Sequence, residues 1–163
     1  MNRKINPQGK YPFFLAYHDY KHIFQHDRRK ITTLREHKER RTYRLMNETQ
    51  KEVIVYKIDG GLINKETVLK CDYGIYTEDD CLFLVELKGT DLNHALDQID
   101  STIDALLKQP KIKVKKMNVR VVLSKSNAPR IYATKEKKLK QLLKKEYGGG
   151  DYKKQSRILE DSI

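Results

Sequence analysis

The chain has 163 residues, of which 38% are hydrophobic and 34% charged, and its formal net charge is +12. This balance excludes a disordered chain and fits one globular domain with a real core. No apolar run approaches the roughly 20 residues of a bilayer span, so no membrane partner is expected.

Residues 1–12, with Pro7 and Pro12, read as an extended lead-in. From Phe13 to about Asn47 the expectation is helical, as one or two helices, on the apolar positions Phe14, Leu15, Ile23, Phe24, Ile31 and Leu34. Residues 53–58 are β-branched and end at Asp59-Gly60-Gly61, the pattern of a strand running into a turn. Two further strands are expected at 67–76 and 81–88, joined by the acidic hairpin loop Glu78-Asp79-Asp80. Gly89 ends the third strand, and Thr90 or Asp91 can cap a helix. In that helix Leu92, Ala95, Leu96, Ile99, Ile103, Leu106 and Leu107 recur at spacings of three and four until Pro110. A strand follows at 119–123, a loop at Pro129, and a Lys-rich helix at 134–147 with Leu139, Leu142 and Leu143 on one face. Gly148-Gly149-Gly150 stops that helix, and the last 13 residues read as a short strand or a tail. The expected architecture is one domain of the α/β (α+β) class, a mixed central sheet flanked by helices. Residues 1–50 would be a basic helical part, 51–123 the core, and 124–163 the Lys-rich helix and tail.

The charge is unevenly spread. Residues 1–41 carry 11 Lys/Arg against 4 Asp/Glu, net +7; residues 42–107 carry 6 against 13, net −7; residues 108–163 carry 17 against 5, net +12. An acidic centre between basic flanks suits a nucleic-acid enzyme, whose cations displace phosphate counterions while carboxylates hold a divalent metal. A solvated basic surface is the plainer alternative. Cys71 and Cys81 are too few for a disulfide scaffold and lack zinc spacing. With no apolar core after the basic start Met1-Asn2-Arg3-Lys4, the chain reads as cytoplasmic.

The chemistry concentrates in Lys70-Cys71-Asp72-Tyr73-Gly74-Ile75 and Phe83-Leu84-Val85-Glu86-Leu87-Lys88-Gly89. Side chains alternate along a strand, so Glu86 and Lys88 share a face. With a three-residue loop at 78–80, Thr77 pairs with Cys81, and Asp72 comes opposite Glu86. Two opposed carboxylates repel. A Mg²⁺ (or Mn²⁺) ion between them removes the conflict, and Lys88 could orient water and offset phosphate charge. A structural ion pair in a hairpin is the alternative.

Over about residues 50–123 these segments resemble the catalytic core of the PD-(D/E)xK nuclease superfamily, which includes restriction enzymes and Holliday junction resolvases. The resemblance implies a restriction endonuclease-like core in which Asp72, Glu86 and Lys88 are catalytic. Asp72, Glu86 and the Leu87 carbonyl would bind the metal. Cys71 stands where the family's name has Pro. Some members carry a substrate-contacting Gln on the next helix, with Tyr four residues on; here these are Gln98 and Thr102. Many also place a metal-binding Glu on the first helix, for which Glu36, Glu39 and Glu48 are candidates.

The expected function is therefore a metal-dependent phosphodiesterase acting on DNA ahead of RNA, and structure-selective for want of an added recognition domain. The alternative is a non-catalytic basic adaptor or subunit of a restriction, recombination or defence complex. Lys137, Lys138 and Lys144 on the Lys-rich helix, and Arg28 and Arg29, are candidate phosphate contacts. A homodimer is the arrangement by which so small a chain could cut two strands. His18, His22 and His26, four apart, would share one helical stripe. Without Asp or Cys partners they read as a phosphate-facing surface, or as without a role, rather than as a zinc site.

Overall fold

Val53, Ile54, Val55 and Tyr56 are all at most 1% exposed, a burial that a strand reaches only when both its faces are covered. The computed structural model, which describes residues 11–18, 20–38, 40–87, 91–124 and 133–163, shows what covers them. The strand β4 (Val53–Lys57) lies inside a six-stranded sheet with β1 (Ile23–Asp27), β5 (Tyr73–Thr77), β6 (Cys81–Leu87), β7 (Lys116–Leu123) and β8 (Tyr152–Ser156), in the order β1-β4-β5-β6-β7-β8. The β1-β4-β5-β6 pairs are antiparallel, and β6-β7-β8 are parallel. The parallel step requires a crossover, supplied by α2 (Leu92–Ile103) and a wider π-type turn at Asp104–Lys108. The second parallel step is made by α3 (Ala133–Glu146).

Alternation along the strands sorts two cores. Ile54, Tyr56, Tyr76, Leu82, Leu84, Val119 and Val121 face α2, α3 and the short α1 (Pro12–Tyr17), whose Phe13 ring lies edge-on to Tyr56. Val53, Val55, Ile75, Phe83, Val85, Leu87 and Val122 face a second, three-stranded sheet made of β2 (Ile31–Glu36), β3 (Arg41–Met46) and β9 (Ile158–Ser162). The mixed central sheet flanked by helices is thus present, with helices on one face and a small sheet on the other. No helix among the described residues is long and apolar enough to cross a membrane.

The helical expectation for 13–47, and with it the helical part at 1–50, is corrected. Among the described residues of this stretch only α1 and a 3₁₀ turn at Tyr20–His22 are helical, and the strands β1, β2 and β3 with their turns follow. The reason is period two: Thr32 and Leu34 are buried between the exposed Ile31, Thr33 and Arg35. β3 pairs in parallel with β9, more than a hundred residues away, and no local window of sequence carries that pairing. The strand expected at 67–76 begins only at Tyr73, whereas those at 53, 81 and 119 and both long helices stand close to their expected places. The last residues form β8 and β9 rather than a tail.

The β5–β6 hairpin sets the register that matters. Its loop, Glu78-Asp79-Asp80, ends with Asp80 in the left-handed region at φ 61°, the usual close of a three-residue hairpin loop. Asp80 is held there because its carboxylate accepts from the Tyr76 hydroxyl at 2.6 Å and from the Lys115 N–H at 2.9 Å. Thr77 consequently pairs with Cys81, and Tyr73 with Val85.

Candidate functional site

The ladder ends at Tyr73 and Val85, and its register carried one residue further brings Asp72 opposite Glu86. By alternation Asp72 shares the face of Gly74 and Tyr76, and Glu86 that of Leu82 and Leu84, so both are on the helix side of the sheet. Glu86 is only 1% exposed, and Asp72 is half-buried. Asp72 Oδ2 accepts the Leu87 N–H at 2.8 Å, so the carboxylate ties off the end of the ladder. Beside the pair lies the fully buried thiol of Cys71. Burial first, and then the charges of Glu86 and Asp72, push that thiol well above its usual range. Lys88, the third motif residue, lies outside the described residues, as do Gly89, Thr90 and Glu39.

Two side chains of α2 hold the lead-in to Asp72, where the chain has left the ladder. Asp91 caps the helix by accepting the His94 N–H at 2.9 Å. Further along, Thr102 is wholly buried, and its hydroxyl accepts the Cys71 N–H at 2.9 Å while donating to the Gln98 carbonyl at 2.7 Å. The Gln98 side chain, also buried, donates its Nε2 hydrogen to the Lys70 carbonyl at 3.0 Å. The side chains at 98 and 102 thus take the place of strand pairing for residues 70 and 71. Sequence reasoning singled out Gln98 for substrate contact and did not assign Thr102. The available signal was a hydroxyl on the buried stripe of the helix, between Ile99 and Leu106.

The basic candidates separate. α3 begins at the sheet end where β6 and β7 finish, since Lys135 Nζ reaches Asp97 of α2 at 2.7 Å. Exposed Lys137 and Lys138 therefore ride on the half of α3 nearer the carboxylates, and exposed Lys144 on the remote half. Arg28 and Arg29 follow Asp27, which pairs with Val53 and, through it, Thr77. They sit at the opposite end of the sheet from Asp72, about 17 Å along β5 at the usual strand rise. There Arg29 pairs with Asp27, and Arg28 with Glu78 at 3.2 Å.

The helix-borne glutamates and histidines are corrected with the helix itself. Glu36 ends β2 and pairs with Arg41 at 3.1 Å, while Glu48 is exposed in the turn after β3. His18 follows α1, His22 closes the 3₁₀ turn, and His26 is in β1, bonded to Glu52 at 3.0 Å, so the three form no stripe. Burial raises the Glu52 carboxyl against the opposing pull of His26 and Arg28. Cys81 opens β6 half-buried, its thiol pushed up to about 12 by burial first and then by Asp79.

A polar cavity of about 400 Å³ lies at the sheet end remote from Asp72, lined by Lys51, Asp79, Cys81, Lys116, Arg120 and Asp161 among others. Its centre is structural. Arg120, 3% exposed, donates to Asp161 Oδ2 and to Asp151 Oδ1, each at 2.6 Å, and so ties β7 to β9. Among the described residues no three His, Cys, Asp or Glu side chains gather as a metal-binding group. The donor set at Asp72 and Glu86 is two carboxylates on one face, which suits an ion of the Mg²⁺ type that takes one or two carboxylates and fills its remaining positions with water and substrate oxygen. Comparison with protein-family models, with curated proteins and with solved structures finds no match to this chain.

Proposed function

We propose that this chain is a divalent-metal-dependent nuclease of the PD-(D/E)xK type, hydrolysing phosphodiester bonds of DNA ahead of RNA. The observation that carries the reading is the register of the β5–β6 hairpin, Thr77 with Cys81 through Tyr73 with Val85, whose extension by one residue brings Asp72 opposite Glu86. The restriction endonuclease-like arrangement is supported by the antiparallel meander β4-β5-β6, the crossover through α2, and β7 returning parallel to β6.

In this reading Asp72, Glu86 and the Leu87 carbonyl hold Mg²⁺ or Mn²⁺, which supplies positive charge against the phosphate and lowers the pKa of water. Glu86, held in the sheet among Leu82 and Leu84, gives the site a fixed wall. Asp72, half-buried, gives it an open side toward substrate. Lys88 orients the attacking water and balances charge that develops on phosphate oxygen. Thr102 and Gln98 keep the backbone before Asp72 from shifting. Lys137 and Lys138 track the phosphate backbone, and a homodimer would place two such sites for two strands.

Plasmid, branched and single-stranded DNA are incubated with and without Mn²⁺, beside Glu86→Gln with circular dichroism as folding control. Cleavage is expected only with metal and only in the wild type. If folded Glu86→Gln cuts as fast as wild type, the site is elsewhere. Binding that is equal in chelator, with no cleavage at all, would make the chain an adaptor.

A further inference from the structure

Next to the carboxylate pair, the other face of the same sheet end carries an aromatic ledge. Phe24 is 64% exposed, an unusual position for a large ring on a short edge strand. The register of β1 against β4 shifts between Ile23 and Gln25, and Phe24 is the extra residue at that shift. Bulges of this kind re-aim a side chain and recur beside active sites. The Phe24 ring meets that of Tyr73, with centroids 6.1 Å apart and planes tilted by 58°. Tyr73 is half-buried, directly follows Asp72, and lies in register with Lys57. Lys57 is exposed and, among the described residues, makes no ion pair.

We propose that Phe24 and Tyr73 are a stacking platform for an unpaired nucleobase next to the scissile phosphate, with Lys57 on the phosphate beside it. The inference rests on the nuclease reading and narrows its substrate to a single strand, a flap or a frayed end. A base inside an intact duplex has no free face to offer a ring, whereas a splayed base does. Continuity with the candidate site and charge favour a nucleic acid as the occupant. The ledge is one residue from Asp72, carries a lysine that makes no ion pair among the described residues, and belongs to a chain of net charge +12. A purely apolar protein contact would make no use of Lys57 between the rings and the turn at Gly60.

The test measures binding of full-length protein, in chelator, to labelled oligo(dT), oligo(U) and a blunt DNA duplex of equal length. The same oligo(dT) carrying one 2-aminopurine reports stacking through its fluorescence. Wild type should prefer a single strand and quench the 2-aminopurine. Phe24→Ala should lose about 5-fold or more of single-strand affinity, since stacking on an aromatic ring is worth roughly 5- to 150-fold per base. It should keep its duplex affinity, and Phe24→Trp should restore both binding and quenching. Phe24 is exposed, so the variant is expected to fold, with circular dichroism as control. The proposal is overturned if wild type binds neither single strand, or if folded Phe24→Ala binds them as wild type does. It is equally overturned if Phe24→Ala changes only self-association in sedimentation. Cleavage is scored separately in Mn²⁺. Single-strand preference lost in Phe24→Ala without any wild-type cleavage would leave the ledge standing and remove the nuclease reading.

Discussion

Asp72 Oδ2 accepts the Leu87 N–H over 2.8 Å, so the carboxylate proposed as a metal ligand also closes the β5–β6 ladder. The two roles separate by substitution. Asn at 72 keeps an oxygen for the Leu87 N–H but loses the charge, and Ala loses both. Asp72→Asn should fold with stability close to wild type, because the Leu87 N–H keeps its acceptor. Asp72→Ala should lose about 1–3 kcal/mol for an N–H left unsatisfied. Neither should cleave, and neither should show the rise in melting temperature with Mn²⁺ expected of wild type. Thermal and urea unfolding with and without Mn²⁺ check this. A Mn²⁺-induced rise retained by Asp72→Asn would remove Asp72 from the metal site.

Thr102 is expected to act on catalysis through Asp72. Val has nearly the shape of Thr but offers no oxygen to the Cys71 N–H, which leaves a buried donor unsatisfied at a cost of about 1–3 kcal/mol. A displacement of the backbone before Asp72 by an ångström can lower turnover by about 10²-fold. Thr102→Val should therefore reduce kcat with KM little changed, and Thr102→Ser, which keeps the hydroxyl, should recover most of the activity. Equal kcat in folded Thr102→Val and wild type would make the clamp a stability device alone.

The hairpin was legible in the sequence because its signals are local. Apolar alternation, a three-residue acidic loop and the motif residues all lie within about 20 positions, and the structure has the expected Thr77–Cys81 pairing. The helix 92–107 was legible for the same reason. The N-terminal third was not. Ile31, Leu34 and the residues between them fit a loose helical spacing, but they form β2 against β3, and β3 in turn takes its parallel partner from Ile158–Ser162 far along the chain. The bond from Thr102 to Cys71 is also long-range, between a helix and a segment 31 residues earlier. The residue type at 102 by itself does not tell what its hydroxyl reaches.

Asp161 and Arg120 should govern acid stability. Burial pushes the Asp161 carboxyl upward, but hydrogen bonds and charge from Arg120, with the Tyr43 hydroxyl at 2.8 Å, outweigh it and hold the group below its ordinary value. A depressed carboxylate contributes stability that is present above its unfolded pKa of about 3.9 and is lost as pH falls through the lower folded value. Asp161→Asn should accordingly be less stable than wild type near neutrality, with the gap closing as the solution is acidified below about pH 4. Arg120→Met, which leaves the buried Asp161 with only the exposed Lys153 as its cation, should lose up to about 3–5 kcal/mol. Denaturant melts across that pH range measure both, and a gap that is constant with pH would mean Asp161 is not the titrating group.

The position of α3 predicts an asymmetry among its lysines. Lys137 and Lys138 lie on the half that starts beside α2, near the carboxylate end of the sheet, and Lys144 lies near the far end. If DNA crosses the site, phosphates pass the first pair more closely than the last residue. Lys137→Glu with Lys138→Glu should weaken affinity and reduce the slope of log affinity against log salt, by about 0.9 for each duplex phosphate that is no longer neutralised. Lys144→Glu should change the slope less. All three side chains are exposed, so the fold should survive. Anisotropy titrations from low to moderate salt, in chelator to prevent cutting, give the slopes directly. If Lys144→Glu flattens the slope as much as the double variant, DNA runs along the whole of α3 and away from Asp72, and the placement of the substrate over the carboxylates fails with it.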